Sequence, residues 1–122
     1  MIRGMGIDLV EIDRIRSAVA KPHFVERVFT QEERAYADAK ASPEESYAGM
    51  FAAKEAVLKA FGTGLGGADL LEMEVVHNHA GCPSLQLRGK AGERFAACGA
   101  KRAFVSISHT ENYAVAQVVL ED

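Results

Sequence analysis

The chain has little of what marks secreted or membrane-spanning proteins. It has no tryptophan, three prolines and only two cysteines among its 122 residues. Cys82 and Cys98 form no CxxC pair and have no histidine at metal-ligand spacing, so we expect reduced thiols in a cytoplasmic protein. No apolar run approaches the roughly 20 residues of a membrane span. Arg3 and Asp8 interrupt the N-terminal stretch, which argues against a signal peptide or an anchor.

The chain also has no strong excess of charge of either sign. Its 14 Lys and Arg residues and 17 Asp and Glu residues give a net charge of −3, which provides no general attraction to nucleic acids or membranes. Charged residues make up 25% and hydrophobic residues 48% of the chain, as is usual for globular proteins. Because neither repeats nor a linker occur, the sequence predicts one domain over residues 1–122.

Helical spacing dominates the first half of the chain. Thr30 with Glu33, and Ser42 with Glu45, have the spacing of capping boxes and predict two helix starts. Pro43 suits the first position of the second of these helices. The apolar residues of this long helix form one stripe, made of Tyr47, Met50, Phe51, Val57, Leu58 and Phe61. Helices are predicted over residues 11–20, 24–29, 31–40, 43–61 and 90–98.

Alternating patterns dominate the second half and the N-terminus. Turn residues at 81–84 (GCPS) and 109–112 (HTEN) predict two hairpins. Helices followed by mostly antiparallel strands, with the N-terminal strand joining the sheet, indicate an α+β fold. Strands are predicted over residues 5–9, 70–78, 84–89, 103–109 and 112–120.

The first predicted strand has an unusual second face. Met5, Ile7 and Leu9 alternate with two glycines and Asp8, so the glycines leave one face open to the close approach of another group. A carboxylate within an apolar strand is costly unless it is paired or binds a metal. Alternatively, Asp8 lies at the end of the strand and caps the helix that follows.

Glu55 and Lys59 lie one turn apart on the long helix, in the order that favours a surface ion pair. Glu55 also follows Phe51 by one turn, so it borders the apolar stripe, where a carboxylate is better placed for a ligand. If Asp8 and Glu55 converge, two oxygen ligands without sulfur or imidazole suit Mg²⁺, which completes its shell with water and phosphates.

The long helix runs into a glycine-rich segment, GTGLGG, at residues 62–67. Gly62, Gly64 and Gly67 satisfy GxGxxG, but they follow a helix instead of joining a strand to one, which does not indicate a dinucleotide-binding fold. We expect Gly62 to be a left-handed helix cap. The additional glycines would let main-chain N–H groups approach an anion such as phosphate.

Histidine and serine give weaker signals. His109 ends a predicted strand and should be at least partly exposed. Ser106 and Ser108 lack the surroundings of a nucleophile elbow. His77 and His79 lie in a predicted hairpin turn without other metal ligands, so we expect them to be solvated.

Three segments, taken in order, resemble the holo-[acyl-carrier-protein] synthases, the small bacterial type of 4′-phosphopantetheinyl transferase. They are MGIDLVEIDRI, FAAKEAVLKAFGTGLG and SISHTENYAVAQVVLE. The resemblance covers nearly the whole chain and implies that family's fold, with helices packed on a mostly antiparallel sheet. It also implies the family's activity, which moves the phosphopantetheine arm of coenzyme A onto a serine of apo acyl carrier protein. This reaction releases adenosine 3′,5′-bisphosphate and supports fatty acid biosynthesis.

The resemblance implies roles for particular residues. Asp8 and Glu55 would bind Mg²⁺, and Glu55 is also the candidate general base. Lys59 would neutralise the coenzyme phosphates and protonate the leaving phosphate. The coenzyme would be contacted by Lys59, Gly62, Thr63, Gly64 and His109.

The resemblance also implies partners: it predicts a homotrimer with active sites between subunits. Arg14 matches a family position that docks the acidic acyl carrier protein, and Arg16 and Arg27 either extend that face or are simply solvated. Met50 stands where many members have a basic residue, so one phosphate contact is expected to be missing or supplied from elsewhere. Cys82 replaces a lysine of the later turn, outside the core motifs.

Two other classes of function stay open. A module that binds coenzyme A or a nucleotide without turnover would keep the glycine segment, although intact Asp8, Glu55 and Lys59 argue against it. A structural oligomerisation domain would use Glu55 and Lys59 only as an ion pair and Asp8 only as a cap. This last alternative predicts no affinity for coenzyme A.

Overall fold

The computed structural model describes residues 1–62 and 69–122. Within these residues helices and strands combine as the α+β prediction requires. The helices are α1 (Ile12–Val19), α2 (Pro22–Val28), α3 (Gln31–Asp38), α4 (Pro43–Phe61) and α5 (Gly89–Ala97). The strands are β1 (Ile2–Glu11), β2 (Met73–His77), β3 (Pro83–Leu87), β4 (Arg102–His109) and β5 (Tyr113–Glu121).

The strands form two antiparallel sheets. The first has the order β1-β5-β4, so the N-terminal strand joins the C-terminal hairpin as predicted. The second is the β2–β3 hairpin. In the first sheet Asp8 is opposite Ala116, which is opposite Ile107. Asp8 and Ile107 therefore belong to the same face of the sheet, because side chains directly opposite each other point the same way.

Helix α4 is buried on most of its sides. Its buried surface is therefore wider than the single apolar stripe that the sequence predicts. Alanines on the other sides of the helix are also buried, because their small side chains let the sheet and the neighbouring helices approach closely. Phe51, a member of the predicted stripe, is only partly buried. The buried alanines are Ala48, Ala52, Ala53, Ala56 and Ala60, at most 7% exposed.

One of the two predicted capping boxes forms. The Thr30 hydroxyl accepts from Glu33 N, and the Glu33 carboxylate accepts from Thr30 N. The Ser42 prediction is wrong, because Ser42 makes no side-chain capping hydrogen bond. The carboxylate of Glu45 is instead turned toward His109, with 3.4 Å between Glu45 Oε2 and His109 Nδ1. Pro43 does begin α4, as predicted.

The strand predicted from residue 70 begins only at Met73. Leu70–Glu72 is a 3₁₀ helix, and Asp69 at its N-cap forms a capping box with Glu72. The D-x-x-E spacing of these two residues was the available sequence signal. The two cysteines are free, as expected.

The outer face of the first sheet carries exposed apolar side chains. Met5 is 61%, Ile7 59% and Leu9 63% exposed on β1, and Phe104 on β4 is 53% exposed. Helix α4 covers the opposite face, as the close approach of its backbone to the glycines of β1 shows. We call the exposed side the outer sheet face.

Candidate active site at the contact between β1 and α4

Two glycines of β1 let the α4 backbone come unusually close. A Cβ atom at Gly6 would lie 1.9 Å from the Ala56 carbonyl oxygen, and one at Gly4 would lie 2.3 Å from that of Ala60. Neither position therefore accepts any larger residue without a shift of the helix. This confirms the prediction that the glycine face of β1 is open to close approach, and the approaching group is α4.

Asp8 follows these glycines on the same face, and Lys59 reaches it from α4. Lys59 Nζ lies 3.0 Å from Asp8 Oδ1 and donates to the Ile7 carbonyl oxygen at 2.9 Å. Asp8 does not cap α1, because the N-cap of that helix is Glu11. The described residues contain no Glu55–Lys59 ion pair, so the helical surface pair considered above is also wrong.

Glu55 is a half-buried carboxylate whose charge is disfavoured. Burial raises its pKa above the ordinary value, the nearby negative charge of Asp8 raises it further, and Lys59 opposes both effects. Lys59 pairs with Asp8, and the charges of both residues act on Glu55, so the three side chains share one region of the β1–α4 contact. A pair of acidic groups held this way favours a cation between them.

The glycine-rich segment begins as predicted. Gly62 is left-handed, with φ of 76°, and its N–H bonds to the Lys59 carbonyl oxygen at 3.0 Å. A Cβ atom there would meet nothing within 4 Å, so the need for glycine is conformational. Thr63 and Gly64 lie outside the described residues.

His109 lines a cavity of about 460 Å³ at the other end of α4. Its side chain is about half exposed, as expected, and lies near Glu45. Met50 is buried and also borders this cavity. Tyr36 and Lys40 line the same cavity and supply an aromatic ring and a positive charge.

The expectation that His77 is solvated is wrong. Its ring stacks on that of Tyr36, with 3.8 Å between the centroids and 2° between the planes. Burial and the charge of Lys40 lower the pKa of His77. No sequence signal pointed to this stack, because Tyr36 lies on α3 and His77 on β2. His79 is exposed, as expected.

The three arginines considered for docking lie in different surroundings. Arg14 lines a cavity of about 310 Å³ together with Phe24 and Phe51. Arg27 lines a larger one, of about 780 Å³, with Glu55 in its wall. Arg16 is paired with acidic neighbours, Asp13 and Glu44.

Sequence reasoning missed a buried ionic network next to the site. The Lys54 side chain is 0% exposed and pairs with Glu33 at 2.7 Å. Burial lowers the pKa of Lys54, and the Glu33 carboxylate opposes that effect. The signal was present in the sequence, because Lys54 is four residues from both Met50 and Leu58 and so falls on the apolar stripe of α4.

Residues 4–118 match the 4′-phosphopantetheinyl transferase superfamily. The chain belongs to that superfamily. The resemblance drawn from the three sequence segments is therefore confirmed.

Similar members of the superfamily are holo-[acyl-carrier-protein] synthases. The one from Koribacter versatilis is 44% identical over 125 residues, covering 100% of both chains. The crystal structure of the Bacillus anthracis synthase, in complex with CoA (3′,5′-ADP), has a TM-score of 0.83 at 39% identity and covers 100% of this chain and 98% of that one. The Helicobacter pylori synthase, solved in complex with coenzyme A, has a TM-score of 0.84 at 32% identity, covering 96% of this chain and 99% of that one.

Two features, a cluster of metal ligands and a membrane-spanning helix, are absent from the part of the chain that the structure describes. Residues 1–62 and 69–122 contain no group of three or more His, Cys, Asp or Glu side chains that could hold a metal. No helix in the same ranges has the length and apolar character needed to cross a membrane.

Proposed function

We propose that the chain is a holo-[acyl-carrier-protein] synthase. It transfers the 4′-phosphopantetheine group of coenzyme A to a serine of apo acyl carrier protein and releases adenosine 3′,5′-bisphosphate, in support of fatty acid biosynthesis. The observation that carries the proposal is the meeting of Asp8, Glu55 and Lys59 at the β1–α4 contact. The similar synthases solved with coenzyme A support it.

The donor set fits Mg²⁺. Asp8 and Glu55 supply carboxylate oxygens, and two carboxylates suffice for an ion that takes its remaining ligands from water and substrate phosphates. Burial is the larger cause of the raised pKa of Glu55 and the charge of Asp8 raises it further, and a cation bound by both carboxylates would offset that repulsion. When bound, the ion would stabilise negative charge on the coenzyme pyrophosphate.

Glu55 and Lys59 divide the proton transfers between them. The serine hydroxyl must lose its proton as its oxygen attacks the β-phosphorus of coenzyme A, and Glu55 accepts that proton. The P–O bond to the leaving adenosine bisphosphate breaks, and Lys59 neutralises the charge on that oxygen and supplies a proton to it.

The 460 Å³ cavity at His109 is the proposed place for the nucleotide part of coenzyme A. His109 and Lys40 border it and are suited to phosphate. Met50 cannot make the phosphate contact that a basic residue would make, so Lys40 is the available cation on this wall. Lys59, Gly62, Thr63 and Gly64 are proposed contacts nearer the pyrophosphate.

Arg14 and Arg27 are the proposed docking arginines for the acidic carrier protein. Arg27 and Glu55 line the same cavity. Arg14 lines the neighbouring cavity, and Phe24 and Phe51 line both. Positive charge beside the reacting groups steers an acidic partner toward them. Arg16 is a weaker contributor, because Asp13 and Glu44 already neutralise it.

The outer sheet face is the proposed surface between subunits of a homotrimer. Met5, Ile7 and Leu9 are each about 60% exposed, and an apolar row of this kind is usually covered by a partner. Because Asp8 alternates with these residues on β1, the trimer would bring a neighbouring subunit close to the active site. We further propose that the protein works in the cytoplasm and as one domain over residues 1–122.

The deciding experiment is the intact mass of an apo acyl carrier protein incubated with the chain, coenzyme A and Mg²⁺. We expect a gain of one phosphopantetheine that EDTA prevents. If several folded carrier proteins gain nothing while coenzyme A still binds the chain, the protein is a binding module. If neither binding nor transfer occurs, the oligomerisation-domain alternative is favoured.

A further inference from the structure

Lys54 is the neighbour of Glu55 on α4, but its side chain is fully buried. Its ammonium group donates three hydrogen bonds: to the Val28 carbonyl oxygen at 2.6 Å, to Glu33 Oε1 at 2.7 Å and to the Leu70 carbonyl oxygen at 2.9 Å. An ammonium group has three donors, so each is used. Two of the three acceptors are main-chain carbonyls that belong to different elements.

Those two carbonyls belong to the walls of the cavity in front of Glu55. Val28 is the last residue of α2, and Leu70 begins the 3₁₀ helix. Both line the 780 Å³ cavity that also contains Glu55 and Arg27. Lys54 therefore connects two separate walls of this cavity to the helix turn that carries Glu55.

Glu33 fixes the position of the Lys54 ammonium. Its Oε1 accepts from Lys54 and from Thr30 N, and its Oε2 accepts from Val75 N at 2.7 Å. Glu33 is 1% exposed. A buried carboxylate with this many donors has one favourable orientation, so the ammonium it holds has little freedom either.

We infer that Lys54 is a positioning residue for the transfer reaction: it holds the α2 wall and the Leu70 wall of the cavity at fixed distances from Glu55. The inference rests on the proposed function, because it concerns the reacting groups that approach Glu55. Lys54 does not touch these groups itself. A charged side chain placed entirely inside the protein is costly, and hydrophobic packing alone would hold α2 and the 3₁₀ helix without selecting the positions of two carbonyls.

The inference predicts a particular kinetic signature. The described residues that line the His109 cavity and those that line the Glu55 cavity have no member in common. Loss of Lys54 should therefore leave coenzyme A affinity nearly unchanged and slow the step that occurs at Glu55. A displacement of about 1 Å at reacting groups costs about 10²-fold in rate.

The test compares Lys54→Met with Glu74→Gln as a matched control. Glu74 is 6% exposed and bonds to Thr30 and Arg88, so it is a buried carboxylate of the same region that does not line the Glu55 cavity. Transfer is followed by carrier-protein mass at a temperature where circular dichroism shows both variants folded. We expect Lys54→Met to lower kcat about 10²-fold with the calorimetric Kd for coenzyme A within about threefold, and Glu74→Gln to change both by less than about threefold.

Amide hydrogen exchange provides a readout that needs no turnover. Faster exchange at residues 27–29 and 70–72 in Lys54→Met, but not in Glu74→Gln, would support the inference even if the wild-type chain transferred nothing. Faster exchange in Lys54→Met together with no transfer by the wild-type chain would overturn the proposed function but not the positioning role of Lys54. Equal exchange in the two variants, or a kcat that recovers fully once the folded fraction is considered, would overturn the positioning role.

If Lys54→Met does not fold, Lys54→Gln replaces it. Glutamine keeps an N–H donor and carries no charge, but it is one bond too short to reach all three acceptors. We expect the same pattern at smaller amplitude, with kcat reduced and the Kd for coenzyme A retained. A Lys54→Gln variant that matches the wild type in kcat and in exchange would overturn the inference.

Discussion

Lys59 Nζ lies 3.0 Å from Asp8 Oδ1, across the contact between helix α4 and strand β1. The two residues are 51 positions apart in the chain. Lys59 also donates to the Ile7 carbonyl oxygen, so its ammonium is fixed above the strand although the side chain is 54% exposed. This exposure means that the pair contributes little to folding, whereas its charges act on Glu55, the proposed general base.

Lys59→Met should therefore separate stability from activity. We expect kcat for phosphopantetheine transfer to fall about 10²- to 10³-fold, as for loss of one group that stabilises developing charge. The free energy of unfolding should change by no more than about 1 kcal/mol, because exposed ion pairs are weak. Carrier-protein mass under single-turnover conditions and urea denaturation measure the two effects. Lys101→Met, at another exposed lysine, is the control, and a Lys59→Met enzyme with normal kcat would contradict the assignment.

Glu55→Gln should abolish transfer and yet stabilise the protein at neutral pH. Burial and Asp8 raise the pKa of Glu55, so the folded state binds that proton more tightly than the unfolded state does. The resulting stability is fully present below the unfolded pKa, about 4.3, and is lost as pH rises through the raised folded pKa. Glutamine never ionises. The variant should therefore have the higher Tm at pH 8 in EDTA, with the difference shrinking toward pH 4.

Thermal unfolding at these two pH values measures the difference. Glu93→Gln, at an exposed glutamate on α5, is the control and should show no such pattern. Addition of Mg²⁺ at pH 8 should narrow the gap, because only the wild type gains from binding the ion. A Glu55→Gln protein that is less stable than the wild type at pH 8 would contradict the account of its pKa.

Gly6→Ala should damage both the fold and the site. The new Cβ would lie 1.9 Å from the Ala56 carbonyl oxygen and 2.8 Å from Ala60 N, so α4 must move away from β1. Overpacking of this kind costs about 1–3 kcal/mol, and the movement takes Glu55 and Lys59 away from Asp8. Urea denaturation and the transfer assay measure the two effects.

Gly49→Ala is the matched control on the helix. Its Cβ would meet only the Ile107 Cγ2 methyl group, at 2.8 Å, and alanine is favoured over glycine within a helix. We expect a smaller loss of stability than for Gly6→Ala. Equal losses for the two variants would show that the contact between backbones is not the reason for the glycine at position 6.

His109→Ala should weaken coenzyme A binding without affecting the carrier protein. A hydrogen bond to a charged group contributes about 1.5–3 kcal/mol, so the KM for coenzyme A should rise by about one to two orders of magnitude. His79→Ala, at an exposed histidine outside the cavity, is the control. If His109→Ala changes only the KM for the carrier protein, the 460 Å³ cavity is not the coenzyme site.

Met5→Glu should disrupt the proposed trimer. Met5 is 61% exposed on the outer sheet face, so a charge there costs little in an isolated chain but is buried between subunits. Sedimentation velocity should show the wild type as a trimer and the variant as a smaller species. Ala97→Glu, exposed on α5, is the control and should leave assembly unchanged. A monomeric wild-type protein would contradict the proposal.

The sequence predicted local elements well wherever one periodic pattern operated alone. The Thr30 capping box, the glycine cap at Gly62 and the open face of β1 followed from residue types and spacing. The convergence of Asp8 and Glu55 did not follow from spacing, since β1 and α4 are distant in the chain. It was a condition of the magnesium hypothesis that the family resemblance also implied, and in the structure the charge of Asp8 acts on Glu55.

The failures have a common physical cause. The Glu45 side chain has a long-range neighbour, His109, instead of the Ser42 main chain, and His77 is covered by Tyr36 from another element. The place of Lys54 on the apolar stripe was visible in the sequence, but local patterns do not show its buried partners at positions 28, 33 and 70. In each case the deciding contact is tertiary, and a window of neighbouring residues does not contain the partner.

Strand β1 carries Asp8 on one side and Met5, Ile7 and Leu9 on the other, so the proposed active site and the proposed subunit surface use even and odd positions of one ten-residue strand. Insertion of a single residue before Asp8 would exchange the two sides. With residues 2–7 held in their pairing with β5, Asp8 would turn to the outer sheet face and Leu9 would turn toward α4. Such a one-residue length change would remove catalysis and assembly together, whereas substitutions on β1 can affect either one alone.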